Sequence, residues 1–273
     1  MKYISMLVFA AFLIISGCTK DTTLEPESDQ IVVRGYIYAG EPVSEIQITE
    51  TLPLGSEATT APPVNNATVS LTKAGSSYAL VPSAGDNGYY HYQGDDLTVA
   101  SGDEFEIQVE ANGTSASAKT IVPYPPDDLT ISASKLIIPE TFEPGRMFDD
   151  STRFIELEWK EDAFSLFYIV VECTETNPEE ITGFGGPPNG EFSRRMVFPP
   201  TNHNHYRIAQ FDISYYGNHV AKVYRVNQEY ADLYESRNQD SRDLNEPLTN
   251  IENGLGIFSA FASQSVSFEV VAE

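Results

Sequence analysis

The sequence has 273 residues, 41% of them hydrophobic and 11% aromatic, with 16 Lys and Arg against 40 Asp and Glu for a net charge of −24. That balance excludes a nucleic-acid binder, whose affinity comes from cationic side chains neutralising phosphates, and a basic patch held on anionic lipid. Acidity keeps a protein soluble and attracts cations, but it does not define a site.

Met1-Lys2 is a short, positively charged opening, and Tyr3 to Ile15 is an apolar run interrupted only by Ser5. The run is too short to cross a bilayer core, which takes about 20 residues, and has the length of a signal-peptide h-region. Ile15-Ser16-Gly17-Cys18 closes it with an aliphatic residue, two small residues and Cys, a pattern that resembles the bacterial lipobox. The reading is a signal peptide over residues 1–17, removed once the Cys18 sulfur carries a diacylglycerol. Each buried CH₂ of an acyl chain contributes about 0.8 kcal/mol, so several chains hold the protein firmly to membrane lipid. Cys18 is then an anchor and not a redox group. Residues 18–29 form a polar lipidated tether, in which Lys20-Asp21 partly resembles an export signal of surface lipoproteins. Cys173 is left without an intrachain partner and, within "FYIVVECTE", reads as a small buried hydrophobe.

Beyond the tether the chain reads as strands: short runs rich in Val, Ile, Tyr, Phe and Thr, bounded by Gly, Pro, Asn and Asp. "IVVRGYIY" (31–38) comes first, then "EIQITET" with Ile46 and Ile48 on one face, "ATVSLTK" with Val69 and Leu71, and "SYALV". Asp86-Asn87-Gly88 is a turn signal before "GYYHYQ", because Asn and Gly tolerate positive φ. "EFEIQVEA" and "ASAKTIV" complete a series of seven, which predicts an antiparallel β-sandwich over residues 30–122. Residues 123–128 carry Pro123, Pro125 and Pro126, which cannot sit within a central strand, and mark a linker.

A second β-sandwich is expected over 129–273. "LTISASKL" opens it, and "FIELEW" aligns Ile155, Leu157 and Trp159. "LFYIVVECTE" is apolar on both faces, as a central strand is. "FSRRMVF", "YRIAQFDIS", "HVAKVYRV" and a closing "SVSFEVV" follow. One amphipathic helix is predicted over about 227–238, with Tyr230, Leu233 and Tyr234 at i, i+3, i+4 and Asn227 placed to cap it. In "NIENGLGIF" the glycines Gly254 and Gly256 predict an unusual backbone or a close approach of another segment, with Phe258 and Phe261 packed into this second module. The fold class is thus all-β: two antiparallel sandwiches, Ig-like or transthyretin-like, with one short helix in the second.

Two long loops, 139–152 and 175–191, have turn chemistry without periodicity. The second holds Phe184 between glycines, a candidate for contacting a partner; a disordered insertion is the equal alternative. No G-x-S-x-G, H-E-x-x-H or Gly-rich phosphate loop occurs. His203 and His205 share a side if extended, but no third clustered ligand completes a metal site. The pairs Asp95-Asp96, Asp127-Asp128 and Asp149-Asp150 read as solvated turns. No catalytic residue, metal or cofactor is assigned.

The lipobox at Cys18, "IVVRGYI", "PPVNNATVSLTKAGSSYAL", "GYYHYQG" and "PLTNIENGLGIFSAFA" together resemble Bacteroidota lipoproteins of domain-of-unknown-function family 4249. "PVNNATVSL…GYYHY" also looks like the transthyretin-like module of many surface proteins. The resemblance implies an outer-membrane lipoprotein linked with a TonB-dependent receptor, and brings no catalytic residues with it. The expectation is a lipid-anchored, non-enzymatic accessory or ligand-capturing module of an uptake system. A structural or adhesive surface protein is the alternative, and a carboxylate-based hydrolase a further one.

Overall fold

The computed structural model describes residues 30–52, 57–139, 154–160, 165–182, 192–236 and 249–273. The signal, the tether, Cys18 and Phe184 lie outside them, as do Asp149 and Asp150.

The expected strands form where alternation placed them. In the first half they are β1 (Ile31–Tyr38), β2 (Glu45–Glu50), β3 (Thr68–Lys73), β4 (Ser76–Pro82), β5 (Tyr89–His91), β6 (Glu104–Ala111) and β7 (Thr114–Ile121). In β1 the residues Ile31, Val33 and Ile37 are buried while Arg34 is exposed, the signature of a strand with one face on a core. The turn before β5 uses positive φ at Gly85, Asp86 and Gly88. Tyr90 is fully buried, and its hydroxyl is satisfied twice: it donates to the Val64 carbonyl at 2.7 Å and accepts from the Ala67 amide at 2.9 Å.

The second half contains β8 (Asp127–Ile131), β9 (Lys135–Ile138), β10 (Phe154–Lys160), β11 (Leu166–Cys173), β12 (Arg195–Val197), β13 (His205–Ala209), β14 (Gly217–Val226), the helix α1 (Gln228–Ser236) and β15 (Leu255–Ala272). The segment "LTISASKL", expected as one strand, is divided. β8 joins a three-stranded sheet of order β13-β10-β8, and β9 pairs with β15 in the large sheet. "YRIAQFDIS" likewise ends early, turning into a 3-10 helix at Gln210–Asp212.

The large sheet has twelve strands, in the order β12-β11-β14-β15-β1-β2-β5-β4-β3-β6-β7 with β9 beside β15. Two cores result. Val33, Ile46, Val69, Leu71, Phe105, Ile107 and Val109 pack into one; Ile155, Leu157, Trp159, Phe167, Ile169, Val223 and Phe268 pack into the other. The expectation of two separate sandwiches meeting only at the 123–128 linker is not confirmed, because β15 belongs to both. Its residues Leu255 to Phe261 pair in parallel with Val32 to Tyr38 of β1. Its residues Phe261 to Val270 pair antiparallel with β14, and Glu269 to Ala272 pair with β9. The first core therefore takes Phe258 and Ala260 from the far C-terminal end of the chain. Phe258, expected in the second module, is buried in the first.

Gly254 and Gly256 serve the close approach anticipated for them. A Cβ on Gly256 would lie 2.0 Å from the Val33 carbonyl oxygen, and one on Gly254 would lie 2.9 Å from that of Ile31. Asn250 fixes the same segment: its side-chain amide donates to the Phe258 carbonyl at 2.7 Å, and its side-chain oxygen accepts from the Phe258 amide at 2.9 Å.

Candidate functional site

Phe261 stands where β15 passes from one module to the other; its Cα partners are Tyr38 on β1 and Val226 on β14. Side chains alternate across a sheet, so the residues flanking it on the face away from both cores follow from the register. They are Tyr36 and Tyr38 on β1, Lys222 and Tyr224 on β14, and Tyr168, Val170 and Glu172 on β11. A third, smaller apolar cluster gathers here, with Val170, Tyr224, Val226 and Phe261 buried and the tyrosines packed around them.

The helix closes one side. Tyr230 of α1 sets its ring edge-to-face against Phe261 (centroids 4.9 Å), Tyr168 (5.6 Å) and Tyr36 (6.0 Å). Tyr38 stacks on Phe261 at 5.1 Å and meets Tyr224 at 6.0 Å. These are the offset and T-shaped arrangements that ring quadrupoles favour, each adding about 0.5–1.5 kcal/mol beyond its area. Between the rings lies a cavity of about 420 Å³, rimmed by Glu41, Glu45, Glu172, Arg195 and Lys222. That volume falls within the roughly 300–1,000 Å³ of small-molecule sites.

Two first-turn contacts hold the helix in place. Glu229 accepts hydrogen bonds from Thr120 of β7 at 3.0 Å and from Ser259 of β15 at 3.1 Å. Asn227 stands just before the helix, where a cap was expected, and its carbonyl accepts from the Tyr230 amide. Its side-chain amide turns instead to β7, donating to Thr120 Oγ1 at 3.0 Å and to the Ile121 carbonyl at 2.9 Å. Asn227→Ala removes both, and water can reach the exposed Ile121 carbonyl. The expected result is a loss of about 0.5–1.5 kcal/mol in urea unfolding; an unchanged midpoint would show that the helix is held without this contact.

The cleft alters the tyrosine hydroxyls. Burial, reinforced by the Glu45 carboxylate, raises the Tyr38 pKa well above its ordinary value, and its hydroxyl reaches Glu45 at 3.4 Å. Burial and the neighbouring Tyr168 raise Tyr230 in the same direction. Tyr224 is pushed up to about 12, chiefly by burial and then by Glu41. All three stay neutral at physiological pH, able both to donate and to accept hydrogen bonds. Around them, none of the five rim charges forms an ion pair with another described residue.

Other residues singled out in the sequence fall elsewhere. Cys173 is buried at the end of β11, a free thiol acting as a small hydrophobe. His203, in the segment just before β13, and His205, its first residue, do share a side, their rings stacked at 5.8 Å. Asp96 accepts a hydrogen bond from Tyr92, and Asp128 pairs with Lys160. Among the described residues no three His, Cys, Asp or Glu side chains stand together as a metal would require.

A comparison with protein families matches residues 19–267 to "Domain of unknown function (DUF4249)". The chain belongs to this family. The match covers both halves of the DUF4249 chain and the shared strand β15 as far as Ser267. No curated protein matches it. Among solved structures, titin domains A168–A170 align over 89% of this chain at 10% identity with a TM-score of 0.23, and the chain spans 66% of that titin chain.

The sequence reading missed the cleft. Its only local signal was the outward-facing pair in "GYIY", Tyr36 and Tyr38 at i, i+2. The partners that turn those rings into walls come from β11, β14, α1 and β15, some 130 to 225 residues further along the chain.

Proposed function

We propose that this DUF4249 protein is a non-enzymatic ligand-capturing module, anchored to the outer membrane through lipid on Cys18 and working beside a TonB-dependent receptor. The observation that carries the reading is the tyrosine cleft. Aromatic walls of neutral hydroxyls and a charged rim without ion pairs among the described residues meet where two packed cores share one strand, and sheet and helix positions hold most of them ready for a ligand. The lipobox supplies the anchor, and sheet edges offer a partner surface.

Two measurements test it. Mass spectrometry of the mature protein is expected to find an acylated N-terminus at Cys18, with Cys18→Ser leaving uncleaved precursor; an unmodified N-terminus at any other residue would remove the anchor from the proposal. Affinity capture from native membranes in mild detergent is expected to bring down a TonB-dependent receptor. Recovery of matrix or cell-surface structural proteins in its place would favour a structural or adhesive role.

A further inference from the structure

We infer that the cleft binds a neutral, polyhydroxylated ligand of the saccharide class. The inference rests on reading the cleft as the capture site and adds what the ligand must be.

The rim carries both signs. Glu41 and Glu45 approach from the first module, and Glu172, Arg195 and Lys222 from the second. An organic cation would profit from the ring faces and the carboxylates but would meet two like charges, Arg195 and Lys222. An anion would meet three carboxylates. Like-charge contacts in a confined site are what binding sites use to reject the wrong partner. A dipolar ligand would need a field of one sign at each end. Glu172 and Arg195 face each other as Cα partners across β11 and β12 and offset each other, so only Lys222 stands as a positive charge opposite Glu41 and Glu45, and a zwitterion is the comparison that the test below must separate from a hydroxylated ligand.

A hydroxyl group has no such conflict. It donates one hydrogen bond and accepts others, so the same kind of group is satisfied by a carboxylate, which only accepts, and by Arg or Lys, which only donate. Hydrogen bonds to charged partners are the stronger kind, and rim charges without an ion pair among the described residues leave them available. The interior adds the second half of the match. Tyr38, Tyr224 and Tyr230 line the cleft, and each phenol oxygen can accept a hydrogen bond from a ligand hydroxyl, although the Tyr38 hydroxyl already reaches Glu45. The ring surfaces of the aromatic wall suit the apolar C–H face of a pyranose.

The test uses the full mature chain in mild detergent and saturation-transfer-difference NMR. The probes are short cello-, malto-, xylo- and manno-oligosaccharides, with tetramethylammonium and glycyl-leucine as the cationic and zwitterionic comparisons. Transfer is expected to the ring C–H protons of at least one oligosaccharide and to neither comparison. Affinity for it should stay within about two-fold between low salt and about 1 M salt, where the Debye length shrinks to about 3 Å and ionic ligands weaken. Glu172→Gln and Tyr38→Phe preserve shape and ring; each is expected to weaken binding about ten-fold, the equivalent of one hydrogen bond, charge-assisted at Glu172 and neutral at Tyr38. Binding of tetramethylammonium or glycyl-leucine without any saccharide would overturn the ligand class and leave capture at the cleft standing. Saccharide binding unchanged in both variants would overturn the site. No transfer to any probe would overturn the saccharide assignment, while the receptor pull-down judges the wider reading separately.

Discussion

Gly256→Ala is expected to prevent stable folding of the first module. Gly256 has φ +103°, where side-chain-bearing residues are strained, and its Cβ would fall 2.0 Å from the Val33 oxygen, 2.9 Å from the Val33 carbonyl carbon and 3.1 Å from the Val33 nitrogen. The obstacle is backbone, so no rotamer change relieves it. Val33 is the Cα partner of Gly256 in the parallel pairing of β1 with β15, and moving it away breaks the ladder that closes the first core. The backbone strain alone costs about 1–3 kcal/mol, and the clash adds to it, against a total stability of about 5–15 kcal/mol. Gly113→Ala is the control: φ +78° and nothing within 4 Å of the added carbon. It carries the strain without the clash and should cost about 1–2 kcal/mol. Urea unfolding compares them. Equal midpoints for the two variants would mean that β15 does not approach β1 in the way described.

Much of the fold was legible because burial alternates in register with the sequence. Ile46 and Ile48, Val69 and Leu71, and Ile155, Leu157 and Trp159 all point into cores from the faces their spacing assigned. The turn at Asp86 to Gly88 follows from local chemistry, which a sequence states directly; the helix was legible from the spacing of Tyr230, Leu233 and Tyr234, since Asn227 gives its side chain to β7 and not to a cap. The extent of β15 was not legible. "SVSFEVV" looked like a complete closing strand, and the glycine-flanked segment before it read as an unusual backbone or a close approach with no partner identified, because a parallel pairing between residues 32–38 and 255–261 leaves no local mark. The assignment of Phe258 to the second module failed for the same reason: proximity in sequence to Phe268 was taken as proximity in space. The cleft failed to declare itself because tyrosine on the open face of a strand is ordinary. Its meaning arises only when Tyr36, Tyr38, Tyr224 and Tyr230 converge on Phe261, with Tyr168 packed against two of them.

Phe258→Ala is expected to be the most damaging truncation that leaves the backbone free to adopt its native path. The ring is fully buried. It lies over Gly35, where a Cβ would come within 2.8 Å of it, so the β1 glycine provides the space that the phenylalanine fills. Asn250 grips the Phe258 backbone on both its amide and its carbonyl, so the strand is not free to shift and close the void. A cavity that cannot collapse puts the cost toward the upper part of the roughly 3–5 kcal/mol range for Phe→Ala. At about 2–4 °C per kcal/mol for a chain of this size, the melting temperature should fall by roughly 6–20 °C. Phe261→Ala provides the contrast, because adjacent faces of one strand have different work. Phe261 is also buried, but its ring is the floor of the cleft against Tyr36, Tyr38 and Tyr230. Its loss should lower ligand binding in protein that is still folded, whereas Phe258→Ala should leave the affinity of the surviving folded fraction unchanged. Thermal melts run beside binding measurements separate the two. A Phe258→Ala protein with an unaltered melting temperature and lost partner capture would place the 250–261 segment on an interaction surface and not in the first core.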